Sequence, residues 1–254
     1  MLRLLPETVS AGLFPGQSWL QRRGVAPVSA ETASGSAADW LDALDAMLGS
    51  QLTVPARFSS LQVVVSDSLG LMAHLPWQEE LRGPGELQAY AQACFARQGG
   101  EPAADWIVQA DYRRFRSAGL AYALPQDLLH QLVALAQRHR LRLRSVLPAS
   151  ALAYWRYRAP HKGGSLALLA ETGRLTAHVY EGRRLVGVDV QPLVVDPDRA
   201  GARLLRRVTA CHPGIAQVQY WQSAARVAAG APAFVTSGVA EAAVRCVDRQ
   251  WEGV

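Results

Sequence analysis

The residues that could carry chemistry in this chain form no complete catalytic motif. Lys162 precedes Gly163-Gly164, the reverse of the order that a nucleotide-binding P-loop requires. Thr236-Ser237-Gly238 is the nearest approach to the glycine-flanked serine of a hydrolase turn, and it is incomplete. Asp67 in Ser66-Asp67-Ser68 and the two aspartates of Asp196-Pro197-Asp198 are more typical of turns and helix caps than of an acid–base pair. We therefore predict no catalytic residue.

The histidines and cysteines do not have the spacing of metal ligands. None of the six histidines has another three or four residues away, the spacing that places two imidazoles on one face of a helix. The three cysteines, Cys94, Cys211 and Cys246, are odd in number and lie far apart, which favours buried thiols over disulfides or zinc ligands. We predict neither a metal ion nor a disulfide framework.

A five-residue phrase occurs twice in the chain. Leu4-Leu5-Pro6-Glu7-Thr8 returns as Leu168-Leu169-Ala170-Glu171-Thr172, each time at the end of an apolar, strand-like run and each time followed by a second run. Such an echo indicates two similar halves that each begin with a β-hairpin. In a chain rich in leucine and alanine the echo can also arise by chance, so coincidence stays open as the alternative.

Composition and charge narrow the class of protein. With 254 residues, half of them hydrophobic, the chain is long enough for one large or two medium cores. Its start lacks the continuous apolar run of a signal peptide, and nowhere do about 18 uncharged apolar residues run together, so we expect a cytoplasmic protein without a membrane span. The net charge of +5 comes from scattered arginines that do not alternate with aromatic residues, a pattern that argues against nucleic-acid binding.

Hydrophobic periodicity predicts strands and helices in alternation along the whole chain. Four pairings are predicted: an opening meander with a Pro-Gly turn at Phe14-Pro15-Gly16-Gln17, a hairpin of 61–66 with 69–75, a hairpin of 106–110 with 119–124, and a three-stranded meander over 165–190. The predicted strands are 2–5, 12–20, 61–66, 69–75, 106–110, 119–124, 141–147, 165–170, 175–180, 184–190 and 233–236; the predicted helices are 40–48, 86–97, 126–139, 149–158, 198–209 and 240–251.

A basic stripe precedes Pro148. Arg140, Arg142 and Arg144 alternate with leucines, which places the later arginines on one face of a strand and the leucines in the core. Charges of this kind are typical of a solvated strand edge, and they also suit an acidic partner or lipid head groups. Tryptophans such as Trp77 are either core residues or anchors of an interface.

In this order of elements the chain resembles the actin-like fold, and within it the cytoplasmic assembly proteins of type IV pili (PilM) and the cytoplasmic domain of the type II secretion protein GspL. The resemblance rests on Val63-Val64-Val65-Ser66-Asp67, on Leu75-Pro76-Trp77 leading into the acidic turn Gln78-Glu79-Glu80-Leu81, and on the helix from Glu86. It implies a duplicated, ribonuclease H-like α/β fold of two lobes, with mixed sheets flanked by helices.

The resemblance also implies where the lobes lie. Residues 1–160 would form the first lobe, with an inserted hairpin subdomain at about 61–124, and residues 161–254 would form a second, smaller lobe. Gly163-Gly164 is the predicted hinge between them.

The sequence departs from the nucleotide motifs of this fold. Actin-like ATPases carry an Asp-x-Gly-type turn in each half, whose carboxylate holds hydrated magnesium and whose glycine admits the phosphates. The corresponding turns here are Pro6-Glu7-Thr8 and Glu171-Thr172-Gly173, with glutamate for aspartate in both and a proline in the first. The glycine pair expected under adenosine is Ser237-Gly238, one glycine short. We predict a vestigial nucleotide site.

We therefore expect a non-catalytic cytoplasmic scaffold of a bacterial envelope machine, either of type IV pilus or of type II secretion assembly, that acts through protein contacts. It would need no cofactor and would be peripheral at the inner membrane through its partners, the inner-membrane assembly proteins; a homo-oligomer stays open. Arg140, Arg142, Arg144 and Trp77 would lie on the partner surface.

Two alternatives remain. The first is a divergent ATP-binding relative, an ATPase or sugar kinase, in which Glu7 and Glu171 hold magnesium, Thr8 and Thr172 bind phosphates and Gly238 lies under the adenine. The second is a small interaction protein of another α/β fold, with an accidental echo.

Overall fold

The computed structural model describes residues 8–14, 17–22, 28–31, 37–51, 59–98, 100–171, 173–193, 196–222, 232–238 and 243–248. The strands are β1 (Thr8–Phe14), β2 (Gln17–Arg22), β3 (Val28–Glu31), β4 (Ser60–Val65), β5 (Leu71–Leu75), β6 (Trp106–Asp111), β7 (Gly119–Pro125), β8 (Arg142–Pro148), β9 (Gly164–Glu171), β10 (Arg174–Glu181), β11 (Arg184–Pro192), β12 (Ile215–Gln222) and β13 (Ala243–Asp248). The helices are α1 (Ala37–Gln51), α2 (Pro84–Arg97), α3 (Gln126–Arg138), α4 (Ala149–Arg156), α5 (Pro197–Cys211) and α6 (Ala233–Gly238), with a 3₁₀ turn at Asp67–Leu69.

Two five-stranded sheets have the same topology. The first has the strand order β3-β2-β1-β4-β8 and the second the order β11-β10-β9-β12-β13. In each, the first three strands form an antiparallel meander, and the two remaining strands run parallel to the first strand of the meander. The predicted two-lobed α/β architecture with mixed sheets and duplicated halves is therefore confirmed.

The repeated five-residue phrase is not what the two halves share. Thr8 begins β1, whereas Glu171 ends β9. The hairpin turns are closed by the pairs Phe14–Gln17 and Glu171–Arg174. By topology, the counterpart of the second-lobe turn is therefore the turn at 14–17. The duplication is correct, but the echo that suggested it lies out of register.

The cores form because each amphipathic element buries one face. In the first lobe, Leu44 and Leu48 of α1 and Leu132 of α3 pack with the buried side chains of β4. In the second lobe, Leu204 and Leu205 of α5 pack on the strands of the sheet, while the arginines of α5 face solvent. Complete burial of a leucine side chain stabilises by about 2 kcal/mol, so these helices are held by packing.

An inserted unit separates β4 from β8. The third sheet has the order β5-β7-β6, and α2 packs on it through Cys94 and Phe95. The predicted hairpin of 106–110 with 119–124 is confirmed as β6–β7, and the predicted meander over 165–190 as β9–β10–β11. The predicted helices at 86–97, 126–139, 149–158 and 198–209 correspond to α2, α3, α4 and α5.

Three predicted elements are wrong. Residues 61–66 and 69–75 form no hairpin: β4 lies between β1 and β8 in parallel pairing, and β5 pairs with β7 instead. Residues 61–65 are buried throughout, which suits an interior parallel strand. The predicted strand 233–236 lies in α6, and the predicted helix 240–251 contains β13.

Near the carboxyl end, the predicted strand is a helix and the predicted helix contains a strand, and the sheet topology explains the difference. β12 and β13 are parallel, so the chain must cross over between them, and α6 lies in this connection. Phe234 of α6 packs so closely on Gly201 of α5 that a Cβ at Gly201 would overlap its ring. Tertiary packing here overrides the β propensity of Phe234 and Val235.

Candidate functional site

The β9–β10 turn of the second lobe makes a polar contact with the first lobe. Glu171, the last residue of β9, is buried, and its Oε2 accepts hydrogen bonds from the backbone N–H of Asp67 (3.1 Å) and from Ser66 Oγ (3.3 Å). Arg174, which begins β10, donates from Nη1 to the carbonyl oxygen of Asp67 at 2.8 Å. We call Ser66, Asp67, Glu171 and Arg174 the interlobe latch, because they join the end of β4 to the second lobe.

Local geometry places both second-lobe members of the latch. Glu171 and Arg174 pair across a hairpin with two residues between them, so their backbones lie side by side at the sheet end. Gly173 in this turn has φ +76°, a left-handed conformation that glycine adopts without strain. The turn thereby places the Glu171 carboxylate at the backbone N–H of Asp67 and the Arg174 guanidinium at the backbone carbonyl of the same residue.

The carboxylate of Asp67 has a structural role of its own. Its Oδ1 accepts hydrogen bonds from Ser150 N (3.0 Å) and Ser150 Oγ (2.9 Å) at the start of α4. Ser150 Oγ also lies 3.2 Å from the hydroxyl of Tyr122 on β7. Burial, followed by the nearby Asp67 charge, raises the pKa of Tyr122, so its hydroxyl stays protonated. Asp67 thus connects β4, α4, the inserted sheet and the second lobe.

Asp67 lies in the 3₁₀ turn and Asp196 caps α5, as the sequence predicts for carboxylates next to serine and proline. Ser66 caps the 3₁₀ turn by accepting a hydrogen bond from Ser68 N, and Asp196 caps α5 by accepting one from Arg199 N at 3.0 Å. Over the ranges that the structure describes, no group of three histidine, cysteine, aspartate or glutamate side chains could hold a metal ion.

The residues predicted for a vestigial nucleotide site lie in several places. Glu171 is in the latch, and Gly173 is exposed beside it. Thr8 begins β1, at the end of that strand away from the β1–β2 turn. Ser237 and Gly238 end α6. Glu7 and Thr172 lie outside the described residues.

A second feature is an apolar groove beside the inserted sheet. It encloses about 430 Å³ between β6 and β7 on one side and α3, β8 and α4 on the other. Ile107 and Trp155 line it while remaining 45% and 42% exposed. Its other lining residues are Gln109, Ala110, Asp111, Leu120, Tyr122, Leu124, Leu129, Val146, Leu147, Pro148, Ala151 and Tyr154.

Both walls of the groove carry a sheet edge. β6 is the outer strand of the three-stranded sheet, and β8 is the outer strand of the first-lobe sheet. Among the described strands, none pairs with the outer edge of either. Edge strands offer unpaired backbone N–H and C=O groups to an incoming extended segment.

The residues predicted for a partner surface are accessible to different degrees. Arg142 and Arg144 are exposed on β8, upstream of its groove-lining residues, and Arg140 is exposed in a left-handed turn (φ 56°). Trp77 is half-buried, and its ring packs edge-on against Tyr112 and Phe115. Sequence reasoning missed the groove and the latch, because both depend on how separate segments meet.

Comparison with known structures shows an actin-like fold. A Bacteroides thetaiotaomicron protein with an actin-like ATPase fold and unknown function matches with a TM-score of 0.61 at 10% identity, over 97% of this chain and 94% of that one. The PilM–PilN type IV pilus biogenesis complex matches with a TM-score of 0.63 at 11% identity, over 96% and 88%. The cytoplasmic domain of EpsL, an inner-membrane component of the Vibrio cholerae type II secretion system, gives 0.54 at 11% identity, over 84% and 81%.

These likenesses establish the fold. No family model matches the chain, and no curated protein matches it by sequence. Within the described ranges, no helix combines the length and the apolar character that crossing a bilayer requires.

Proposed function

We propose that this chain is a non-catalytic, actin-like scaffold that works at a bacterial envelope machine of the type IV pilus or type II secretion kind. Two of the structures that share its fold belong to such machines by their names. The observation that carries the non-catalytic part is the interlobe latch: Glu171, in the turn where the resemblance places a magnesium-binding carboxylate, is buried and bonded to the other lobe.

The latch competes with nucleotide binding. Both hydrogen bonds end on Oε2 of Glu171, so a rotation of this carboxylate towards a hydrated magnesium ion would leave Asp67 N and Ser66 Oγ without their acceptor. An unsatisfied buried donor costs about 1–3 kcal/mol. A turn that holds two lobes together in this way favours a fixed arrangement over a nucleotide-driven cycle.

The apolar groove is the docking surface in this proposal. An extended apolar segment of an inner-membrane assembly protein would pair with the free edge of β6 or β8 and bury side chains against Ile107 and Trp155. Acidic residues of the partner next to that segment would face Arg142 and Arg144, which are exposed on β8. The scaffold would then be peripheral at the inner membrane through this partner.

Capture of partners from the native membrane fraction tests the proposal. We expect immobilised wild-type protein to retain envelope-machine subunits, and Ile107→Asp to retain about thirtyfold less, because a charge in the groove removes an apolar anchor worth about 2 kcal/mol. Val133→Asp is the control, since Val133 is similarly exposed (40%) but does not line the groove. Equal retention by all three proteins would contradict the groove as the docking surface.

A calorimetric titration with Mg-ATP tests the non-catalytic part separately. We expect no binding heat at millimolar nucleotide, because the Glu171 carboxylate is engaged in the latch. Micromolar binding would favour the divergent ATPase or kinase alternative. Glu171→Gln removes the negative charge of the turn. This variant should bind Mg-ATP no better than the wild-type protein if other residues of the nucleotide site are missing as well.

A further inference from the structure

One face of the molecule concentrates positive charge contributed by both lobes. The β6–β7 loop carries Arg114 and Arg116; Arg183 lies in the β10–β11 turn, and Arg184 is the first residue of β11. The loop and the turn are joined by hydrogen bonds from Ala118 N to Leu185 O (3.0 Å) and from Leu185 N to Ser117 Oγ (2.9 Å). The four arginines therefore belong to one continuous surface.

Arg158 extends this surface from the end of α4. Arg113 of the same loop donates hydrogen bonds to the carbonyl oxygens of Tyr154 and Tyr157, the latter at 2.9 Å, and so holds the loop against the segment that carries Arg158. Burial lowers the pKa of Arg113, and repulsion from Arg158 and Arg114 lowers it further, which agrees with their closeness. Lys162 is exposed next to Gly163, whose carbonyl accepts from Gly182 N of the β10–β11 turn at 2.8 Å.

The acidic residues on this face do not cancel its charge. Glu79 forms an exposed ion pair with Arg116 at 3.5 Å, and Glu181 is exposed at the end of β10. An exposed pair of this kind contributes little and exchanges readily with other partners. We call Arg114, Phe115, Arg116, Arg158, Arg183 and Arg184 the basic patch.

Phe115 distinguishes this surface from an ordinary charged face. It is 70% exposed in the middle of the β6–β7 loop, and the Arg116 guanidinium lies 5.3 Å from its ring centroid. The ring of Trp77 packs edge-on against Tyr112 and against one side of Phe115, with ring centroids 5.0 and 5.2 Å apart, and so supports the exposed ring from below. A protruding aromatic ring among arginines matches the interface of a bilayer, where the ring enters the acyl boundary and the guanidinium groups meet phosphate.

We propose that the basic patch binds directly to an anionic lipid surface, with Phe115 inserted between head groups. No patch residue lines the groove, although Arg158 donates a hydrogen bond to the carbonyl oxygen of the groove residue Trp155 at 3.0 Å. The proposed ligand is lipid and not a partner protein, so the proposal does not depend on the scaffold function. It would place both lobes side by side on the membrane, because each lobe contributes arginines.

Flotation with vesicles tests the inference. We expect the protein to float with vesicles that contain phosphatidylglycerol, to remain unbound with phosphatidylcholine alone, and to bind less as salt increases. Each charge removed should weaken binding about fivefold, so Arg183→Gln/Arg184→Gln should weaken it about twenty-five-fold. Phe115→Ser should weaken it about tenfold. The matched control, Arg199→Gln/Arg203→Gln on the exposed part of α5, loses the same charge and should bind like wild type.

Three results would overturn the inference: no binding to phosphatidylglycerol vesicles, equal binding by the patch and control variants, or tighter, patch-dependent binding to a DNA duplex. Because every substituted side chain is exposed or partly exposed, all variants should keep the wild-type circular dichroism spectrum and urea midpoint. The vesicle experiment uses no partner protein, so its failure is separate from a failure of the capture experiment.

Discussion

Glu171→Ala should lower the free energy of unfolding by about 3 kcal/mol. The substitution removes the acceptor of two buried hydrogen bonds, and it leaves the backbone N–H of Asp67 and the hydroxyl of Ser66 without that acceptor at the junction of the lobes. Urea denaturation followed by tryptophan fluorescence measures the change. The loss should be accompanied by faster hydrogen exchange at Asp67 and in the β9–β10 turn, where the latch holds the two lobes.

Two further variants separate the latch from the general cost of losing a glutamate. Glu171→Gln keeps the shape and one acceptor oxygen, so it should lose only about 1 kcal/mol. Glu181→Ala removes an exposed glutamate at the opposite end of β10 and should change stability by less than about 0.5 kcal/mol. Equal losses for Glu171→Ala and Glu181→Ala would show that the latch contributes nothing to stability.

The wild-type protein should lose about 2 kcal/mol of stability between pH 8 and pH 5 through His178 alone. Burial, with a smaller contribution from repulsion by His74, lowers the pKa of His178 to about 3. The unfolded chain takes up this proton near pH 6.5, whereas the folded protein does not. Stability is therefore fully present above pH 6.5 and is lost as the pH falls from 6.5 towards 3. Urea midpoints at several pH values measure the loss.

His178→Leu should remove this part of the pH dependence. The ring of His178 contacts Tyr154 edge-on, and its Nε2 has no hydrogen-bond partner among the described residues, so a leucine of similar volume leaves no polar group of the described region unsatisfied. Between pH 8 and pH 5 the variant should therefore lose about 2 kcal/mol less unfolding free energy than the wild-type protein loses over the same range. His130→Leu on the exposed face of α3 is the control and should keep the wild-type slope. An unchanged slope in His178→Leu would contradict the assignment.

Hydrophobic periodicity correctly predicted the helices and strands whose buried face can be recognised within the segment itself. α3 and α5 carry leucines at helical spacing and polar residues elsewhere, so their buried faces are visible in the chain itself. The hairpin β6–β7 was predictable because its arms are neighbours and a polar turn joins them. The order of these elements, combined with the resemblance, was sufficient for the actin-like fold.

Prediction failed where a distant segment decides the outcome. Leu61–Val65 is an apolar run that fits either a hairpin or an interior parallel strand, and only the arrival of β8 decides between them. The segment at 233–236 is rich in β formers but is helical, because it lies in the crossover between β12 and β13 and packs on α5 through Phe234. The latch could not be predicted, because its members Asp67 and Glu171 are far apart in sequence and the bond involves a backbone N–H.

The insertion between β4 and β8 has a consequence for how the chain is made on the ribosome. β13 reaches β12 across residues 223–242, but β8 reaches β4 only after the whole segment 66–141 has been synthesised. Until β8 has been synthesised, the edge of β4 that will pair with it is unpaired. The residues Leu61–Val65 on this strand are uncharged and mostly β-branched, and an unpaired edge of this kind can pair with another nascent chain. The amino-terminal lobe therefore carries the greater hazard of misassembly during translation, and rapid formation of the local β6–β7 hairpin shortens the distance that β8 must search.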